Sequence, residues 1–164
     1  MQAWHQRFLA SSVLAAALVA SGGCNTEQSR EETAASEFRQ RLARNQVDVI
    51  YEGSSPELRS KLSEQDFRRT VSQTQVLGIL QHTERAHYAR TQVAGEPDLV
   101  VAFYNSRFTK GNCLESFSWR MEPSGLKLAS YSCAPNMQVT CTGGRAGSQC
   151  QTSPVPAPGF AGAP

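Results

Sequence analysis

The spacing of apolar side chains changes once along this chain. Between residues 31 and 78 they recur every three or four positions, the interval that lines one face of a helix. From Ile79 to Cys133 they alternate or run together, as strands require. In the first half, Ser29-Arg30-Glu31-Glu32 has capping-box spacing. Ala35, Phe38 and Leu42 then share a face, with Arg39, Arg41 and Arg44 turned away from it. Val47, Val49, Ile50 and Tyr51 make a short apolar patch that Gly53 closes. Ser55-Pro56-Glu57 places a cap, a first-turn proline and an acid at a helix start. Ser63-Glu64-Gln65-Asp66 repeats the start signal, Phe67, Val71, Thr74 and Leu77 follow along one face, and Gly78 ends the helix.

In the second half, Ile79 to Gln92 is extended and mostly polar, a strand with one well-solvated face. Ala94 to Asp98 is a turn by composition. Leu99 to Tyr104 is the most strongly β-favouring run and predicts a central strand. Lys110-Gly111-Asn112 turns into Cys113 to Met121, where Phe117, Trp119 and Met121 share a face. Pro123-Ser124-Gly125 turns into Leu126 to Cys133. Helices followed by strands joined through short turns predict an α+β domain, with N-terminal helices packed on a four-stranded antiparallel meander.

The chain's two ends differ from this core. Arg7 and the α-amine precede an apolar run, Phe8 to Ala20, and Ser21-Gly22-Gly23 follow. A run this short covers only about 20 Å, less than a bilayer core, so residues 1–23 read as an export signal rather than a membrane span. Small residues followed at once by Cys24 look like a bacterial lipobox, with Ser21 standing where an aliphatic residue is usual. That resemblance implies that Cys24 is acylated and becomes the first mature residue. Ordinary cleavage at Ala20-Ser21-Gly22, leaving Cys24 a free thiol, is the alternative. Residues 24–30 are polar and read as a tether, residues 31–133 as the folded domain, and residues 134–164 as a disordered Pro/Gly-rich tail with a small disulfide loop.

The cysteine count supports the division. Of five cysteines, Cys24 leaves an even set, Cys113, Cys133, Cys141 and Cys150, suited to disulfides in an oxidising compartment. Three pairings are open. Cys113–Cys133 with Cys141–Cys150 is preferred because the second closes a flexible glycine-rich loop. The first requires a one-residue shift in the last hairpin, expected as a bulged turn at Pro123–Gly125. Spacing without a Cys-x₂-Cys pair argues against a zinc ribbon or finger, and no metal or cofactor is expected.

A formal net charge of +2 in 164 residues disfavours nucleic acid as a partner. No nucleophile elbow, phosphate loop or dinucleotide fingerprint occurs. His82 and His87 are five apart, so simple alternation puts them on opposite faces of a strand, unable to share a metal. Glu115 stands out as a carboxylate on the same alternation as Phe117 and Trp119, and with His87 it forms a speculative pocket; a strand-end ion pair with Arg120 or a lysine is the plainer use of Glu115.

Ile50 to Arg59, Phe67, Leu77-Gly78 and Glu115-Ser116-Phe117-Ser118-Trp119 together resemble a group of uncharacterised bacterial lipoproteins. That group is similar to cystatin-like and nuclear-transport-factor-like α+β domains. The resemblance spans about Phe38 to Cys133 and implies helices packed into a curved sheet, with no catalytic residues to carry over. The expected protein is a cell-envelope lipoprotein facing the periplasm, on the outer rather than the inner membrane. Its domain binds or scaffolds, without catalysis, and an envelope protein is its expected partner. The alternative is a small-molecule-binding or hydrolytic enzyme with its pocket between helices and sheet.

Overall fold

A computed structural model describes residues 23–92, 94–142 and 149–155, with side chains from Gln28 onward. Residues 1–22, where the export signal is expected, the stretch 143–148 and the residues from 156 onward lie outside the described residues, as does the Cys24 side chain.

Among the described residues, four helices precede six strands. The helices are α1 (Gly23–Ala43), α2 (Val47–Glu52), α3 (Pro56–Lys61) and α4 (Glu64–Gln75). The strands are β1 (Leu80–Thr91), β2 (Leu99–Phe108), β3 (Gly111–Glu122), β4 (Gly125–Pro135), β5 (Met137–Thr142) and β6 (Gln149–Pro154). The first four strands form one antiparallel sheet in the order β1-β2-β3-β4, the expected meander with β2 inside it. None of the described helices is long and apolar enough to cross a membrane.

Local chemistry explains most boundaries. Ser55 caps α3 by accepting from the Leu58 N–H at 3.1 Å, with Pro56 in the first turn. Ser63 does the same for α4, accepting from the Asp66 N–H at 3.2 Å. Gly78 ends the helical half at φ 86°, and a Cβ there would collide with the Thr109 hydroxyl. The first helix departs from expectation. Ser29 and Glu32 lie inside α1, which already runs from Gly23, so the tether expected at residues 24–30 is helical. The Ser29 carbonyl is bonded by the Thr33 hydroxyl at 2.8 Å rather than starting a helix.

The core lies between the helices and one sheet face. Phe38 from α1 meets the Phe117 ring edge-on at 5.2 Å and the Tyr131 ring at 4.5 Å, and Trp119 stacks on Phe117 at 5.5 Å. Phe67 and Val71 of α4 complete it. The Ser55 N–H bonds the Leu128 carbonyl at 2.9 Å, tying the start of α3 to β4.

Among the described residues there are two disulfides, Cys113–Cys133 and Cys141–Cys150. The register shift that the first needs is real but misplaced in the expectation. The turn is tight, with Glu122 opposite Gly125, and the irregularity lies between Ser118 and Trp119, where Ser130 and then Leu128 are the partners. Ala129 is the extra residue, and beyond it Cys133 opposes Glu115, which brings it beside Cys113.

The expected tail contributes structure too. β5 and β6 pair as a hairpin. Asn105 on the outer sheet face holds it, its amide donating to the Val139 carbonyl and its oxygen accepting the Val139 N–H, both at 2.9 Å. Composition alone missed this sheet because backbone pairing and a disulfide hold it, with Val139 its one buried hydrophobic side chain.

Candidate functional site

α3 and α4 pack chiefly on β4, while α1 touches β1 and β2 through Glu31, Glu32 and Arg39, and a gap is left between α1 and the end of α4. The result is a cleft of about 670 Å³ between α1, the end of α4 and the sheet. Leu42, Ile79, Leu80 and Phe108 give it an apolar wall, and Gln75, Thr83 and Arg85 stand among them. Arg39 and Glu115 also line it.

Glu115 is fully buried, and three elements converge on it. Its Oε2 accepts from Arg39 Nε at 2.9 Å and from the Ser106 hydroxyl. Its Oε1 accepts from the Tyr131 hydroxyl at 3.0 Å, which in turn lies 2.8 Å from the Thr74 hydroxyl of α4. Burial, with the Glu115 charge alongside, pushes the Tyr131 phenol well above its ordinary value, so the tyrosine is fixed as a donor. A carboxylate with both oxygens engaged this way is an anchor for its neighbours and is poorly placed to take a proton from a substrate.

Arg39 is the residue that the helical pattern placed in solvent. Its guanidinium instead sits under the sheet, 4.4 Å from the centre of the Tyr104 ring and 5.2 Å from that of Phe117. Nη2 lies 2.9 Å from Glu115 Oε2 without the alignment of a hydrogen bond. A signal for Arg39 existed: it stands four residues after Ala35 and three before Leu42, so it borders the buried stripe.

A second buried acid continues the network. Glu31 is completely covered, and its Oε2 accepts from the Tyr104 hydroxyl at 2.8 Å. Arg85 of β1 lies 3.6 Å from the same oxygen and 2.7 Å from Glu32. Desolvation raises the Glu31 carboxyl above its ordinary range, against the lowering effect of Tyr104 and the arginines. Burial together with Glu31 likewise pushes the Tyr104 phenol up.

Of the two residues expected to share a pocket, the structure puts only Glu115 in the cleft. His87 is on the opposite sheet face, its ring 6.1 Å from Phe103 and its Nδ1 3.6 Å from Cys150 Sγ. Bulges explain the separation. The β1–β2 register slips between Arg85 and His87, so His82 opposes Arg107 and His87 opposes Phe103. Both histidines therefore lie on the outer face, contrary to simple alternation. Arg120, the expected partner of Glu115, pairs with Glu57 at 2.8 Å. That contact, reinforced by Lys61, holds the Glu57 carboxyl down to about 2.

Compared with known proteins, the chain matches no family description, no curated protein and no solved structure.

Proposed function

We propose that this protein is an exported, lipid-anchored envelope protein whose domain binds a small, largely apolar ligand between its helices and sheet, without transforming it. The observation that carries the reading is the 670 Å³ cleft, within the size range of small-molecule sites, with a buried ion pair at its base. Its apolar wall supplies burial for a hydrocarbon or ring. Arg85, Gln75 and Thr83 give a polar end of the ligand somewhere to lie. Glu115 serves the site by fixing Arg39 and Tyr131, so the cleft keeps its shape when empty. A hydrolytic role for Glu115 is less well supported, because both its oxygens are already bonded.

Export and anchoring rest on the N-terminal sequence, with Cys24 as the acylated residue and the outer membrane as the destination. Attachment there would place α1 directly at the bilayer surface, since the helix begins at the anchor itself.

The test is titration of the exported Cys24→Ser chain with the fluorescent apolar anion anilinonaphthalene sulfonate. Saturable enhancement is expected, and Ala43→Trp, which fills the cleft wall from an exposed position, should abolish it while leaving the thermal midpoint unchanged. Equal enhancement from both proteins would refute binding in the cleft.

A further inference from the structure

We propose that the β5–β6 hairpin carries a redox-gated zinc site, made of Cys141, Cys150 and His87, on the sheet face opposite the cleft. The two disulfides differ in a way that matters for this. Cys113 and Cys133 are buried in the core, whereas Cys150 is exposed and Cys141 is half-buried. An external reductant therefore reaches the second pair first.

Cys141 and Cys150 stand directly opposite each other in the hairpin register. His87 reaches them from β1, and one ligand atom from each of the three lies within 4.8 Å of the others. Zinc bound at ordinary Zn–N and Zn–S lengths with tetrahedral angles puts a nitrogen and a sulfur roughly 3.5 Å apart. The separation of His87 Nδ1 from Cys150 Sγ is 3.6 Å. The histidine thus already stands where a ligand must. Only the sulfurs have to separate, to roughly 3.8 Å, once their bond is broken.

The chemistry balances with a dithiol reductant. One of its thiolates attacks a sulfur of the Cys141–Cys150 bond, its second thiol resolves the mixed disulfide, and it leaves as a disulfide. Two electrons and two protons pass to the cysteines. Zinc then displaces the two thiol protons and binds two thiolates and an imidazole nitrogen, and water completes the tetrahedron. The hairpin remains closed in both states, by a covalent bond in one and by the metal in the other. Neither the spacing of the cysteines nor the alternation of β1 signals such a site, because it depends on the bulge that turns His87 outward.

The experiment reduces the full exported chain with a mild phosphine, adds zinc chloride, removes free metal by gel filtration and measures zinc per chain. Mass mapping checks that Cys113–Cys133 is intact, and circular dichroism that the fold is. One equivalent of zinc is expected on the reduced protein and none on the oxidised one. His87→Ala should weaken retention more than the roughly 10-fold that loss of even an outer-sphere partner costs. His87→Gln serves as a second variant if alanine perturbs the fold, and substitution by cobalt should give thiolate charge-transfer absorption. Absence of zinc from the reduced, folded protein would overturn the proposal. So would retention by both His87 variants at the wild-type level, or zinc held equally by the oxidised chain.

Discussion

At the residue scale, Arg39 and Glu115 form a buried ion pair. Glu115 is 0% exposed and Arg39 12%, so removing one partner leaves a charge in the interior with little water to solvate it. Such a loss costs about 3–5 kcal/mol, whereas replacing both charges by apolar groups is often close to neutral. Arg39→Met should therefore lower the urea-unfolding free energy by that amount. Arg39→Met combined with Glu115→Leu should recover most of it, and a double-mutant cycle reads the coupling directly. Additive losses would mean that the pair is not formed in solution. Glu31 gives a prediction in pH. Its carboxyl is raised above the ordinary 4.5, so the native state keeps its proton where the unfolded chain has lost it. Stability linked to this group is greatest below the unfolded value and falls as pH rises from about 4.5 through the folded value. Glu31→Gln, which keeps an acceptor for Tyr104, should remove that decline in denaturation curves taken from about pH 4 to about pH 8. A slope unchanged by the substitution would assign it elsewhere.

At the element scale, the Cys113–Cys133 bond and the bulge at Ala129 depend on each other. Without the extra residue, the two cysteines would face opposite sides of the sheet. The bond spans a sequence separation of 20, which limits the unfolded chain by about 3 kcal/mol in the loop-entropy account. Cys113→Ala with Cys133→Ala should lower stability by about that amount in urea titration, whereas breaking Cys141–Cys150 should cost less because its loop spans only 9. The reverse order would show that the hairpin, rather than the buried bond, braces the sheet. The same elements show what could be read in the sequence. Caps at Ser55 and Ser63, the stop at Gly78 and the four-strand meander were all legible because each depends on neighbours within a few residues. Glu115 was legible because it interrupts an apolar alternation. Arg39 was less so: its spacing from Ala35 and Leu42 put it at the border of the buried stripe, but residue type argued for solvent and its partner lies 76 residues away. The position of His87 was hidden for a similar reason. Bulges obey the sheet as a whole, and no single strand's alternation announces them.

At the scale of the whole molecule, α1 connects the proposed anchor to the cleft. Cys24 is near its first residue and Arg39 is fifteen positions later, which at about 1.5 Å per residue separates them by roughly 22 Å along one helix. Glu31, between them, is the first fully buried side chain of the described residues. Attachment as proposed and folding would then be carried by different parts of the same helix, and they should separate cleanly. Two or more acyl chains on Cys24 would hold the protein stably on a membrane, where one chain would give only marginal binding. Cys24→Ser should therefore move the protein from the membrane pellet to the soluble envelope fraction. Its thermal midpoint should stay the same, because Glu31, the first fully buried side chain of the described residues, lies well beyond the anchor in α1. Retention in the pellet after high-salt and carbonate washing would reject acylation of Cys24 as the attachment. Release with a lowered midpoint would instead show that the first turns of α1 belong to the fold, and that the anchor and the cleft are coupled through the helix.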